Sequence, residues 1–197
     1  NYGFCRGYNE ALKLVEADVF VLLNSDVEVT AGWLDPIRSL FAARDEIAAI
    51  QPKILSYHER KKFEYAGAAG GMIDRLGYPF CRGRVFQHRE TDVGQYDDEK
   101  EIFWASGACL AIRSTVYWEH GGLDEDYFAH MEEIDLCWKI HRTSNLIYYT
   151  GRSTVYHVGA GTLCYESPFK TFLNFRNNLF TVIKHWDSGE LLWKLPT

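Results

Sequence analysis

Val19-Phe20-Val21-Leu22-Leu23-Asn24-Ser25-Asp26-Val27-Glu28-Val29-Thr30 decides how the rest of the chain is read. Its first five residues are apolar and partly β-branched, the length and make-up of a buried strand. The run stops at Asn24, and two carboxylates, Asp26 and Glu28, stand one residue apart just past its carboxyl end. Open α/β sheets bind their ligands at that end. An acid-x-acid pair there suits a divalent cation that in turn holds a diphosphate. A solvated turn carrying two acids is the plainer alternative, since loops are polar in any case. For the tripeptide by itself the two readings stand even.

Upstream, Tyr8–Ala17 sets Ala11, Leu12, Leu14 and Val15 at helical spacing. Downstream, a helix with Thr30 as N-cap runs to about Ala43. Ile47–Leu55 is the next strand, and its Pro52 favours an edge or a strand end. Helix, strand, helix, strand is the α/β pattern. From Lys62 to Glu101 the periodicity fades, predicting short strands and a long loop of the kind that covers or shapes a site. Ile102–Arg113 gives two apolar runs hinged at Ser106-Gly107. Ser114–His120 is a short helix ending at Gly121-Gly122, and Met131–His141 a strong one. Leu146–Tyr149 and Thr154–His157 are strands. Pro168–Trp186 is a long amphipathic helix whose Phe172, Phe175, Leu179, Phe180, Ile183 and Trp186 read first as core, and alternatively as the start of a membrane-surface segment.

A chain of 197 residues suits one domain with a sizeable core. Hydrophobic content of 47% and aromatic content of 15% exclude disorder. With 21 Lys plus Arg against 27 Asp plus Glu, the net charge of −6 excludes a general nucleic-acid binder. It fits a protein that meets phosphates through a metal. Cys5, Cys81, Cys109, Cys137 and Cys164 form no CxxC pair, so neither a disulfide framework nor a zinc site is expected. Cys5, Cys109 and Cys137 lie among apolar neighbours as small core residues. A reducing cytoplasm is the expected compartment. No apolar run approaches the ~20 residues of a membrane span, and no signal peptide is read. Opening on Asn1-Tyr2-Gly3-Phe4 without an initiator Met or a leading strand, the chain reads as a segment cut at both ends.

The densest chemistry is Asp124–Asp135, DEDYFAHMEEID, where half the residues are acidic and a loop runs into a helix. Acids at a helix start gain ~0.3–1 kcal/mol each from the macrodipole, which explains part of the pattern. The apolar neighbours Tyr127, Phe128, Met131, Ile134 and Trp138 put Glu132 or Glu133 at a pocket floor, where a raised pKa suits general-base work. His157 ends an apolar strand ahead of Val158-Gly159-Ala160-Gly161. It reads as a packed residue or as a ligand for a transition metal. The opening Asn1-Tyr2-Gly3-Phe4-Cys5-Arg6-Gly7-Tyr8-Asn9 lies just ahead of a helix, and helix starts bind anions.

In order along the chain, N-x-G-F-x-x-G-x-N, LLNSDVEV, WASGACLAIR, GGLDEDYF, MEEIDLCWK, VYHVGAGT and FRNN resemble the bacterial family 2 glycosyltransferases, closest to the rhamnosyltransferase-like branch that builds surface polysaccharides. The resemblance implies an α/β fold of GT-A type, a mixed central sheet flanked by helices, without its N-terminal strands. Residues 1–60 would be the remainder of the nucleotide-binding half, 61–165 the acceptor and catalytic half, and 166–197 a C-terminal amphipathic helix. Asp26, Glu28 and His157 would hold a divalent cation, Mg²⁺ or Mn²⁺. Asn1, Gly3, Gly7, Asn9 and Asn24 would border the nucleotide-diphosphate sugar donor together with Asp26. Trp104, Ser106, Gly107, Ala108 and Asp135 would meet the sugar or the acceptor. Glu133 would be the general base where the family usually has Asp, with Glu132 as its rival. Arg176 and Asn177 match a late motif with no role readable from sequence.

The implied activity is metal-dependent, inverting transfer of a hexosyl or deoxyhexosyl group to a saccharide or lipid-linked saccharide. It implies a cytoplasmic protein, at the inner face of the plasma membrane if the terminal helix docks there. Two alternatives remain. A nucleotidyltransferase making nucleotide sugars would want a Gly-rich, basic first loop. A non-catalytic carbohydrate-binding module would use Trp104, Trp138 and Tyr127 for stacking.

Overall fold

The computed structural model describes residues 3–159 and 168–194. In chain order, helix α1 (Gly3–Leu12) leads to strands β1 (Val19–Leu23) and β2 (Val27–Val29), helix α2 (Leu34–Ala43) and strand β3 (Ile47–Ser56). Two small antiparallel pairs follow, β4 (Gly71–Ile73) with β5 (Pro79–Cys81) and β6 (Arg84–Val85) with β7 (His88–Arg89), then β8 (Glu99–Glu101). Strand β9 (Cys109–Arg113), helices α3 (Ser114–Glu119) and α4 (Glu132–His141), strand β10 (Leu146–His157) and helices α5 (Pro168–His185) and α6 (Ser188–Lys194) complete it.

The central sheet runs β1-β9-β3-β10-β2, with β8 also pairing β10. Only β3 and β10 are parallel, so the sheet is mixed and draws strands from both sides of residue 61. Along β9, Leu110 and Ile112 join the core cluster that contains Ile134, Leu136 and Ile140 of α4, while Ala111 joins Ile37, Leu40 and Phe41 of α2. That alternation is what a sheet with helices on both faces requires.

Five expectations change. Strand β1 is buried on one face only: Phe20 and Leu22 are core, whereas Val21 is exposed. Val19 and Val21 line an apolar groove of about 600 Å³ with Leu34, Ile37 and Phe41. Helix α1 starts earlier than expected and stops at Leu12. Its inward stripe is Phe4, Tyr8 and Leu12, a true helical period begun a turn sooner, and Leu14 and Val15 are left exposed beyond its end. Thr30 caps no helix, because its hydroxyl donates to Thr154 O at 2.8 Å and a turn separates it from α2. Pro52 stands in the middle of the sheet, with every residue of β3 buried. It is tolerated because β10 shifts register there, Thr150 facing Pro52 and Thr154 facing Lys53, so no ladder donor is missed.

The fifth change is α5. Phe172, Phe175, Leu179, Phe180 and Ile183 are exposed, and of the six residues read as core only Trp186 is buried. The buried face is Leu173, Asn177, Thr181, Val182 and His185, three of the five polar. Among the described residues no helix is long and apolar enough to cross a membrane. Cys5, Cys81, Cys109 and Cys137 are all buried free thiols, and Cys164 lies outside the described residues. The irregular stretch after Lys62 is pinned rather than loose: buried Lys53 reaches Asp92 at 2.8 Å and also meets Asp97, and Arg82 pairs with Asp98 across the rings of Tyr96 and Tyr149.

Candidate active site

Three chain crossings converge where β1, β9 and β10 end or begin. At the first, the Asn24–Asp26 turn follows β1, and the Asn24 amide donates to Ala108 O at 3.1 Å. At the second, the Val158 amide beyond β10 donates to Asp26 O at 3.0 Å, which sets His157 against Asp26. His157 Nε2 lies 3.3 Å from Asp26 Oδ1 and its Nδ1 3.5 Å from Glu64 Oε1. Burial would lower the His157 pKa, but the Glu64 and Asp26 carboxylates outweigh it and hold the imidazole above its usual value. Glu28 is turned away. Arg60 forks onto both of its carboxylate oxygens at 2.9 and 2.7 Å, and the guanidinium lies 4.3 Å from the centre of the Tyr156 ring.

Among the described residues no group of three His, Cys, Asp or Glu side chains forms a ready metal cage. Asp26 and His157 nonetheless fit a divalent cation, one hard oxygen and one imidazole nitrogen facing each other. Ions such as Mg²⁺ are commonly bound by one or two protein groups and completed by substrate phosphates.

The third crossing is the turn Ser106-Gly107-Ala108 at the start of β9. Gln51, wholly buried in β3, accepts the Ser106 amide at 2.8 Å and donates to Gly67 O at 2.9 Å. Against this turn stands the N-terminus of α4. The Glu133 carboxyl lies over Gly107, 3.8 Å from where a Cβ would sit, and Phe4 is at the same distance. Glu132 is 5% exposed. Burial pushes Glu132 well above the usual carboxylate range, and neighbouring Glu133 pushes it further. Burial also raises Glu133, and nearby backbone amides, including that of Gly107, pull it partly back. One oxygen of each carboxylate, Oε2, is buried without a hydrogen-bond partner.

The loop that delivers these acids is strained. Phe128, His130 and Met131 have φ of 64°, 68° and 74°, a region that non-glycine residues rarely enter. Asn177 holds it: its buried amide donates to the carbonyls of Tyr127, Ala129 and His130 at 3.1, 2.8 and 2.7 Å. Arg176 adds a bond to Tyr127 O at 2.9 Å and donates to Asn177 Oδ1. Below the loop, Asp135 is fully buried between α4 and α5, with His185 at 2.8 Å, Lys184 at 2.7 Å and Lys139 at 2.8 Å. Burial would raise its pKa, but hydrogen bonds from His185, Lys139 and Lys184 hold it well below the carboxylate range. Asp135 thus joins helix to helix.

The remaining residues named from sequence fall as follows. Gly3 and Gly7 are in α1, Gly3 beside Phe128. Asn9 is buried, its amide donating to Leu123 O and Glu125 and accepting from Tyr117 and the Leu123 amide. Trp104 is buried, packed on Gly71, with Nε1 donating to Met72 O at 2.8 Å. Tyr127 is buried likewise, and Trp138 stacks on His185. Asn1 and the segment 160–167 lie outside the described residues. Two residues that sequence reading missed are Glu64 and Gln51. Gln51 carried a signal, a polar residue amid an apolar strand; Glu64 carried none. Glu64 also lines a cleft of about 380 Å³ with Ser56, His58, Tyr65 and Arg89, opening beside Val158.

No family model matches the chain. It is 26% identical over 144 residues to an N-acetylglucosaminyl-diphospho-decaprenol L-rhamnosyltransferase of Mycobacterium tuberculosis, covering 71% of this chain and 47% of the relative. It is 23% identical over 185 residues to a low-salt glycan biosynthesis hexosyltransferase of Haloferax volcanii, covering 90% and 56%. An O-antigen biosynthesis protein of Myxococcus xanthus is 26% identical over 153 residues, covering 76% of this chain and 12% of that protein. The chain thus spans about half the length of the first two relatives. Among solved structures, GalNAc-T7 with UDP, GalNAc and Mn²⁺ superposes with a TM-score of 0.68 at 16% identity, covering 95% of this chain and 35% of that one, which establishes the fold. The chain thus has the fold of that glycosyltransferase, and proteins named as glycosyltransferases among its sequence relatives.

Proposed function

We propose that this chain carries the catalytic centre of an inverting glycosyltransferase that moves a sugar from a nucleoside-diphosphate sugar to a saccharide or lipid-linked saccharide acceptor. The observation that supports this most is that the turn carrying Asp26, which faces His157, is bonded through Asn24 to the Ser106–Ala108 turn, over which the desolvated Glu133 carboxyl lies. Asp26 and His157 would hold Mg²⁺ or Mn²⁺, and Glu28 would join them only on releasing Arg60. When bound, the cation offsets charge on the leaving diphosphate. Glu133 takes the proton of the acceptor hydroxyl as its oxygen bonds to the anomeric carbon. The bond from that carbon to the diphosphate breaks on the opposite face, so the centre inverts and nucleoside diphosphate leaves. Glu133 is favoured over Glu132 because its carboxyl faces the Ser106–Ala108 turn. The nucleotide side is residues 1–60, and acceptor and chemistry fall to 61–165. The Mycobacterium relative's lipid-linked substrate supports a lipid-linked acceptor here, with the exposed phenylalanine face of α5 nearest the membrane.

Titration calorimetry of uridine and deoxythymidine diphosphates, with and without Mn²⁺, tests this reading. Binding that requires Mn²⁺ and is lost in Asp26→Ala is the expected result. Sugar binding indifferent to metal and nucleotide would replace it with a non-catalytic carbohydrate module, and pyrophosphate release from a nucleoside triphosphate with a nucleotidyltransferase.

A further inference from the structure

Glu64 belongs to no motif that led to the site, yet it is buried against His157. Its side chain is 4% exposed, and Oε1 stands 3.5 Å from His157 Nδ1, an ion-pair distance rather than a closed hydrogen bond. The carboxylate is already aimed. The Glu64 amide bonds to Ile54 O in β3 at 3.0 Å, and the other carboxylate oxygen accepts the amide of Ala66. The opposite ring nitrogen, Nε2, faces Asp26 at 3.3 Å.

We infer that Glu64 is a positioning residue for the cation: it takes the His157 Nδ1–H, fixes the tautomer, and so presents the Nε2 lone pair beside Asp26. An imidazole can bind a metal through one nitrogen only if that nitrogen is unprotonated, and the group on the other nitrogen decides which one that is. Ligating histidines usually donate their second N–H to a carboxylate, carbonyl or water, and losing that partner typically costs about 10–100-fold in metal affinity. Here the acid facing Nδ1 is Glu64, while Asp26 stands on the Nε2 side. A cation on Nε2 would make Nδ1–H a stronger donor toward the Glu64 carboxylate, 3.5 Å away. The segment after β3 therefore does more than fill space: it carries the group that readies a histidine at the far end of β10.

This inference rests on the cation site proposed above, and the test separates the two. Mn²⁺ is titrated into the full-length protein in the presence of uridine diphosphate, with free Mn²⁺ followed by electron paramagnetic resonance. Glu64→Gln keeps the volume and an acceptor for the Ala66 amide but not the charge. The expected result is Mn²⁺ binding weakened about 10–100-fold with an unchanged melting temperature. In a His157→Asn background the same change should cost nothing further, because its effect passes through the ring. Wild-type affinity in Glu64→Gln overturns the role of Glu64 and leaves the cation site standing. An equal loss in the His157→Asn background also overturns it, since the carboxylate would then act on the cation directly. A wild-type protein that takes up no Mn²⁺ overturns both.

Discussion

Two walls of the proposed site, one of sheet and one of helix, carry acids under opposite conditions. On the sheet wall each acid has a cationic or imidazole neighbour: Asp26 faces His157, Glu28 is forked by Arg60, and Glu64 backs the histidine. On the helix wall Glu132 and Glu133 sit side by side, desolvated, each with a buried oxygen lacking a partner. The first wall is built on strand ends and tight backbone bonds, the second on a loop in left-handed conformations clamped from α5. The difference fits the chemistry proposed for each. A group that binds a cation loses little by resting on another partner, because the cation displaces it. A group that accepts a proton near neutral pH must be kept from cations and water, or its affinity for that proton falls.

The largest effect should come from removing the proposed proton acceptor. Glu133→Gln should lower kcat by about 10²–10⁴-fold with donor binding retained. Calorimetry of nucleoside diphosphate beside turnover measurements checks both halves, and near-normal turnover would move the base to Glu132. The pH profile gives the same wall a second reading. A base works deprotonated, so kcat should rise with pH through a value above the ordinary glutamate range. The sign for stability is the reverse: a carboxyl whose folded pKa is raised favours the fold while protonated, and that contribution is lost as pH climbs from the unfolded value through the folded one.

Next comes the clamp. Asn177→Asp is nearly isosteric, but it turns the donor to three carbonyls into an acceptor facing them. Buried groups left unsatisfied cost about 1–3 kcal/mol, and misplacing a catalytic group by about 1 Å can cost 10²-fold in rate. A fall in kcat of about that size, with Mn²⁺ affinity unchanged, would show that α5 supports the helix wall only. An equal loss of Mn²⁺ binding would mean the two walls are not independent.

The sheet wall was the more legible of the two. A run of apolar residues ending in Asn24-Ser25-Asp26 gives both a strand and its carboxyl end, and β10 announces His157 in the same way. The helix wall was half legible. MEEIDLCWK shows a helix and its acids, but nothing local says that Asn177, some 45 positions on, holds the loop before them. Long-range side-chain bonds have no periodicity, which is why Glu64, Gln51 and the purpose of Arg176-Asn177 emerged only in three dimensions. The misread elements share a cause. Pro52 reads as an edge or strand-end residue because its tolerance depends on a bulge in another strand, and the phenylalanines of α5 read as core because amphipathicity fixes two faces without saying which is covered. On α5 the polar Asn177, Thr181 and His185 are the inward ones, recruited by the loop and by Asp135.

The smallest effect divides the acid pair with which the sequence reading began. Asp26 and Glu28 stand one residue apart, yet only Asp26 meets His157, while Glu28 spends both oxygens on Arg60. Both members of that outer pair are close to half exposed, and such surface pairs contribute little. Glu28→Gln should therefore leave the melting temperature and Mn²⁺ affinity near wild type, in contrast to the loss expected from Asp26→Ala. If Glu28→Gln instead weakens Mn²⁺ as strongly as Asp26→Ala, Glu28 must leave Arg60 when the cation arrives. Arg60→Ala should then tighten Mn²⁺ binding by freeing it. The same pair of variants thus decides whether the sheet wall meets its cation with two protein groups already in place or recruits a third by breaking an ion pair.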